Sequence, residues 1–270
     1  MRIDAHHHVW RLDRGDYTWL RPSLPIHRDY GLDDLRPLLG DVTATVLVQA
    51  AATEAETAFM LETARASGGL VRAVVGWTNL AAPGAEARVA EMAADPLLRG
   101  LRPMLQDIAE TGWVLRPEVG RGLAAMAQAG LRLDVLAKPR HLPLLPQLAQ
   151  RHPELRMVID HGAKPAIAEA AWEPWATDIA RVARDTGTLC KLSGLATEAS
   201  PGWTDANLRP YVDHLLACFG PARLMWGSDW PVVDLAGGYQ RWHTAAVRLV
   251  PAGNAAAVFG DTAAAFYGIA

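Results

Sequence analysis

Eight short apolar or β-branched runs recur along the chain, each followed by a longer stretch whose spacing suits a helix. The runs are Arg2–His8, Thr43–Gln49, Val71–Trp77, Gly100–Leu105, Arg132–Ala137, Arg156–His161, Leu189–Ser193 and Arg223–Asp229. Between them lie Ala-, Glu-, Arg- and Leu-rich segments: 53–66, 85–94, 118–129, 142–151, 168–186 and 205–219. Strands alternating with helices predict βα units around a parallel sheet. Several runs are apolar at consecutive positions, such as Val46-Leu47-Val48 and Met157-Val158-Ile159, which suits strands covered on both faces. Eight units in 270 residues match one α/β fold, a (β/α)8 TIM barrel, a single domain over 1–270. A doubly wound open sheet competes, but no GxGxxG follows the first run.

Composition narrows the function classes. A formal net charge of −3 and the lack of any Lys/Arg-rich block exclude a nucleic-acid partner. The 2 cysteines, Cys190 and Cys218, are too few and too far apart for a disulfide framework or a CxxC metal site. No run of about 18 apolar residues is present, and no signal-peptide pattern precedes the first strand. The expectation is a cytoplasmic monomer or homodimer with no membrane partner.

On a barrel the residues that end the strands meet at one rim, where active sites form. Here those ends carry His6 and His8, Gln49, Asn79, Gln106, Lys138, His161, Ser193 and Asp229. In a strand His6 and His8 face one way and His7 the other, so His7 reads as structural. The triplet is enclosed by Ile3-Asp4-Ala5 and Val9-Trp10, which marks native sequence rather than an affinity tag. Residues 11–41, with Tyr17, Trp19 and three prolines, form the main irregular stretch, and following the first strand they would lie over the catalytic face.

A single His or Asp at a strand end commonly caps or hydrogen-bonds the backbone. Three imidazoles and a carboxylate on one rim form a set that can hold a divalent metal, or can polarise a carbonyl and supply a base without one. In the metal-free case Asp229 would keep protons on the imidazoles, and His6, His8 and His161 would donate to the carbonyl oxygen.

Asp4-Ala5-His6-His7-His8, Gly100-Leu101-Arg102-Pro103, Asp160-His161-Gly162-Ala163-Lys164-Pro165, Lys191-Leu192-Ser193-Gly194 and Gly227-Ser228-Asp229-Trp230-Pro231 occur in this order, each at a strand end. Together they resemble the amidohydrolase superfamily, and more narrowly its lactonase branch of L-fuconolactonases, L-rhamnonolactonases and 2-pyrone-4,6-dicarboxylate lactonase. The resemblance implies hydrolysis of a lactone with His6, His8, His161 and Asp229 as the core, Asp229 taking the proton of the attacking water. The same four would be the ligands of one zinc-like divalent ion, which members of this branch can dispense with; no organic cofactor is implied. Ser193 stands where many metal-dependent relatives place another His, and no Lys ends the fourth strand to bridge two metals.

Arg102, Lys164, Gln49 and Gln106 are the expected substrate contacts, with Asp107, Thr197 and Glu198 as further polar rim residues. Trp10 and Trp230 are read as stacking surfaces for a sugar ring, with packing as their alternative, as it is for Trp113 and Trp203. A sugar-acid 1,4- or 1,5-lactone is the leading substrate. A pyrone dicarboxylate or muconolactone would need clustered cations, and here only Arg102, Lys164, Lys138 and Arg140 are candidates. A metal-dependent decarboxylase of the same superfamily is a further alternative; a barrel that merely binds a sugar acid has no need of an ionisable Asp229 among imidazoles.

Overall fold

In a computed structural model describing residues 1–270, eight strands form one sheet in sequence order. They are β1 (Ile3–His7), β2 (Ala44–Val48), β3 (Val71–Gly76), β4 (Leu98–Leu101), β5 (Arg132–Val135), β6 (Met157–Ile159), β7 (Leu189–Leu192) and β8 (Leu224–Trp226). Each pairs in parallel with the next. The sheet closes where the β8 end meets β1, through Asp229 N–H to the His6 carbonyl (2.8 Å) and His8 N–H to the Trp230 carbonyl (2.7 Å). Closure therefore ties His6 and His8 to Asp229 through the backbone itself.

The helices are α1 (Leu32–Leu35), α2 (Glu54–Ala66), α3 (Ala85–Met92), α4 (Pro117–Gln128), α5 (Leu145–Arg151), α6 (Trp175–Asp185), α7 (Asp205–Phe219), α8 (Tyr239–Leu249) and α9 (Thr262–Tyr267). Alternate strand residues divide the apolar core in two. Leu47, Val74, Leu133 and Ile159 join the helices in the larger cluster, while Val46, Val48, Val75 and Val158 fill the barrel. Phe266 and Tyr267 of α9 pack with Ile3, Ala5 and Val46 in that interior. No helix is long and apolar enough to cross a membrane.

The structure departs from the expected elements in a few places. β4 lies earlier than Gly100–Leu105, because Pro103 has no N–H to continue the ladder. The helix expected over 168–186 is confined to Trp175–Asp185, since Ala170 takes a positive φ, which a right-handed helix cannot include, and Pro174 brings no N–H to one. The helices α8 and α9 complete the set. In β1 the register against β2 shifts between Asp4 and His7, an irregularity of the kind that re-aims a side chain.

Candidate active site

Strand ends bring the four core residues together from three parts of the chain. Asp229 Oδ1 lies 3.3 Å from His8 Nε2, 3.7 Å from His6 Nε2 and 3.8 Å from His161 Nε2. All four side chains are buried. His161 and Asp229 stand at φ 55 and φ 58, a left-handed conformation that non-glycine residues adopt at a cost of about 1–3 kcal/mol each. The surroundings hold them there: Asp229 N–H is bonded to His6, Val233 N–H to the Asp229 carbonyl at 2.9 Å, and Lys164 N–H to the His161 carbonyl at 2.9 Å.

Each imidazole is oriented by a second contact. His8 Nδ1 is 2.7 Å from the Val48 carbonyl, which can only accept, so that nitrogen carries the proton. His161 Nδ1 is 2.8 Å from Ser193 Oγ. His6 Nδ1 lies 3.1 Å from Lys191 Nζ. Burial and the Lys191 ammonium together drive His6 well below the ordinary imidazole range. Burial likewise pushes His161 down to about 4, against the pull of Asp229. Burial opposes ionisation of Asp229 too, but His161, the hydrogen bond with His8, and His6 outweigh it and hold the carboxyl well below its usual value. At neutral pH the site is thus an ionised carboxylate facing neutral His6 and His161. This corrects the expectation that Asp229 keeps protons on all the imidazoles: for His6 and His161 desolvation is the larger effect.

The donor set fits a cation. The ligand atoms of His6, His161 and Asp229 lie within 4.8 Å of one another. Imidazole nitrogens with a carboxylate oxygen make a zinc-type ligand set, which a divalent ion would fit.

Beneath the imidazoles is a buried charge network that the sequence reading did not single out. Lys191 Nζ contacts Asp134 Oδ2 (2.5 Å) and Asp160 Oδ1 (3.1 Å) as well as His6. Arg102 contacts Asp160 Oδ2 at 3.1 Å and also donates to the Gln49 carbonyl. Tyr267 of α9 donates to Asp134 Oδ2 at 2.7 Å. The available signal was a charged residue inside an apolar strand, Lys191 in Leu-Cys-Lys-Leu and Asp134 in Leu-Asp-Val.

Above the core opens a cavity of about 240 Å³, lined by His8, His161, Asp229, Arg102, Lys164, Gln106 and Asp107 on its polar surface. Its apolar surface comes from Trp19, Ala50, Met104, Leu136 and Val232. Of the expected substrate contacts, Arg102, Lys164 and Gln106 therefore reach the cavity. Gln49, Trp10 and Trp230 do not. Gln49 is buried with its amide donating to the Arg102 carbonyl at 2.8 Å. Trp10 and Trp230 are buried edge-on against Tyr30, at centroid separations of 5.4 and 5.3 Å, so their rings serve packing rather than stacking on a ligand. The indole that does face the cavity is Trp19, from the irregular 11–41 stretch.

The sequence matches the model of the amidohydrolase family over residues 3–269. It is 42% identical over 278 residues to an L-fucono-1,5-lactonase of Burkholderia ambifaria, covering 99% of this chain and 96% of the relative. It is 38% identical to an L-fucono-1,5-lactonase of Burkholderia multivorans, covering 100% and 96%. Among solved structures, an amidohydrolase from Burkholderia multivorans with bound zinc superposes with a TM-score of 0.92 at 38% identity, covering 100% of both chains.

Proposed function

The chain belongs to the amidohydrolase family, and from that premise we propose that it hydrolyses a neutral six-membered sugar lactone of the L-fucono-1,5-lactone class. The observation that carries this reading is the ionised Asp229 at the floor of a 240 Å³ cavity among three imidazoles, in a chain 42% identical to a protein of that activity. Asp229 takes a proton from water as the water oxygen attacks the lactone carbonyl. The ring C–O bond then breaks, and the proton passes from Asp229 to the departing alkoxide, leaving a hydroxy acid. His6, His8 and His161 fix the carboxylate and confine the water. Arg102 and Lys164, on the cavity wall, hold the carbonyl side and the ring substituents. A zinc-like ion held by His6, His8, His161 and Asp229 supplies Lewis-acid polarisation of the carbonyl when bound.

The charge balance of the cavity favours a neutral lactone over a dicarboxylate. Arg102 is already paired with Asp160 at 3.1 Å, and Lys164 lies 3.7 Å from Glu198. Asp107 adds a carboxyl to the lining. A dianion entering here would find its cations committed. Both cysteines are free thiols, which suits the reducing cytoplasm in which we place the protein.

The test is acid release from L-fucono-1,5-lactone followed with a pH indicator, with and without chelator. The expected result is hydrolysis well above the spontaneous rate and none of 2-pyrone-4,6-dicarboxylate. Turnover of the dicarboxylate alone, or carbon dioxide release from an aromatic acid, would replace the reading with one of its alternatives.

A further inference from the structure

We propose that Trp19 determines specificity, by forming a hydrocarbon wall that accepts a methyl substituent on the lactone ring and rejects a hydroxymethyl. The proposal rests on the lactonase reading and adds to it which carbon substituent the site selects.

Trp19 is the one tryptophan lining the cavity, and it is fixed in place. Its Nε1–H donates to the Ala50 carbonyl at 2.7 Å, and its ring stands edge-on to buried Trp10, centroids 5.5 Å apart at 88°. Ala50 is fixed in turn, its N–H donating to Glu56 Oε1 at 3.0 Å. The indole N–H is the only hydrogen-bonding group tryptophan has. Because the Ala50 carbonyl takes it, the surface left for a ligand has no polar group.

The order of strands around the barrel makes this wall continuous. Val232 follows β8, Trp19 follows β1 and Ala50 follows β2, so three neighbouring strand ends contribute apolar lining, beside His8 and Asp229 from the same β1 and β8 ends. Across the barrel, Gln106 and Asp107 follow β4 and Lys164 follows β6, giving donors and acceptors. Met104 and Leu136 add apolar surface on that side, which can therefore meet both C–H and O–H groups. A sugar lactone carries hydroxyls on most ring carbons, and a hydroxyl pressed on the Val232–Trp19–Ala50 wall would lose water without gaining a partner. A carbon that bears none fits there.

In a 1,5-lactone of a 6-deoxy sugar acid, that carbon is the methyl on C5, joined to the carbonyl carbon through the ring oxygen. The apolar wall adjoins Asp229, since β8 and β1 carry both. A carbonyl placed at Asp229 thus puts the C5 substituent within reach of Trp19.

The experiment compares kcat/KM for L-fucono-1,5-lactone and L-galactono-1,5-lactone, which differ only by the hydroxyl on C6. The ratio is taken within one preparation, so a partly folded variant does not distort it. The wild type should prefer the fucono compound by about tenfold to a hundredfold, the usual limit for an apolar pocket rejecting an added hydroxyl. Trp19→Phe should retain most of that preference, and Trp19→Gln, which offers the hydroxyl a partner, should bring the ratio to within a few-fold of one. Equal kcat/KM in the wild type, or an undiminished preference in Trp19→Gln, would overturn the wall while leaving the lactonase reading intact. Hydrolysis of neither compound by the wild type would overturn the lactonase reading itself.

Discussion

Asp229 combines two properties that rarely coincide, a buried position and a firmly ionised carboxylate. Burial opposes its ionisation, and the pull of His161, the His8 hydrogen bond and His6 on the carboxyl outweighs that opposition. Replacing it with Asn tests that role, because Asn also tolerates the left-handed φ of 58 and leaves the backbone bonds of the turn in place. Asp229→Asn should therefore fold and lose about 10²–10⁴ in kcat, the range of general-base catalysis. Steady-state rates on L-fucono-1,5-lactone decide the matter: near-normal turnover would remove Asp229 from the proton transfer. The identities of these core residues were legible in the sequence because each terminates an apolar run. The neutral state of His6 and His161 was not, since it depends on burial that only closure of the barrel creates and, for His6, on Lys191.

Element ends, rather than elements, set the geometry. The turn after β7 shows this at Gly194, whose φ is +64 and whose missing Cβ would lie 2.6 Å from Cγ and Nδ1 of His161. Gly194→Ala should therefore displace the His161 ring and break its bond to Ser193, costing about tenfold to a hundredfold in kcat as expected for a shift near 1 Å. Gly202→Ala is the matched control, with φ +82 and nothing within 4 Å of the added carbon. Both variants should melt earlier, but only the first should lose turnover; equal kcat losses would mean that strain, not the contact, is responsible. The eight strands were readable from paired apolar faces, whereas their ends were drawn too long, because His8, Gln49 and Ser193 continue the run in sequence after the ladder has stopped. Trp19 was expected over the catalytic face with the rest of 11–41, but was not singled out as a substrate contact. It lies in a stretch with no periodicity, and what brings it over β2 is a single side-chain bond to Ala50.

Across the whole molecule, buried titratable groups pull stability in opposite directions as pH changes. His6, His7 and His161 are held below the ordinary imidazole value by burial, to about 3 for His7 and about 4 for His161. Each stays neutral in the folded chain while the unfolded chain takes up a proton below about 6.5, so these groups make stability rise with pH over that range. Asp4 and Asp134 are raised by burial to about 6 and Glu56 to about 7. The folded chain keeps these protons after the unfolded chain has released them near 4, so they make stability fall as pH rises over the same interval. These two sets of three strongly shifted groups oppose one another between pH 5 and 6.5. Glu56 is the member to remove, since it lies outside the imidazole site and holds the Ala50 and Ala51 N–H groups at the turn into α2. Glu56→Gln keeps an acceptor there but deletes one falling contribution of about 1.4 kcal/mol per pH unit. In chelator-treated protein, urea unfolding should then show the variant gaining about 2 kcal/mol more than the wild type between pH 5 and 6.5. Parallel curves would show that Glu56 is ionised in the folded chain, and the Ala50 turn beneath Trp19 would then rest on a charged carboxylate rather than a neutral acid.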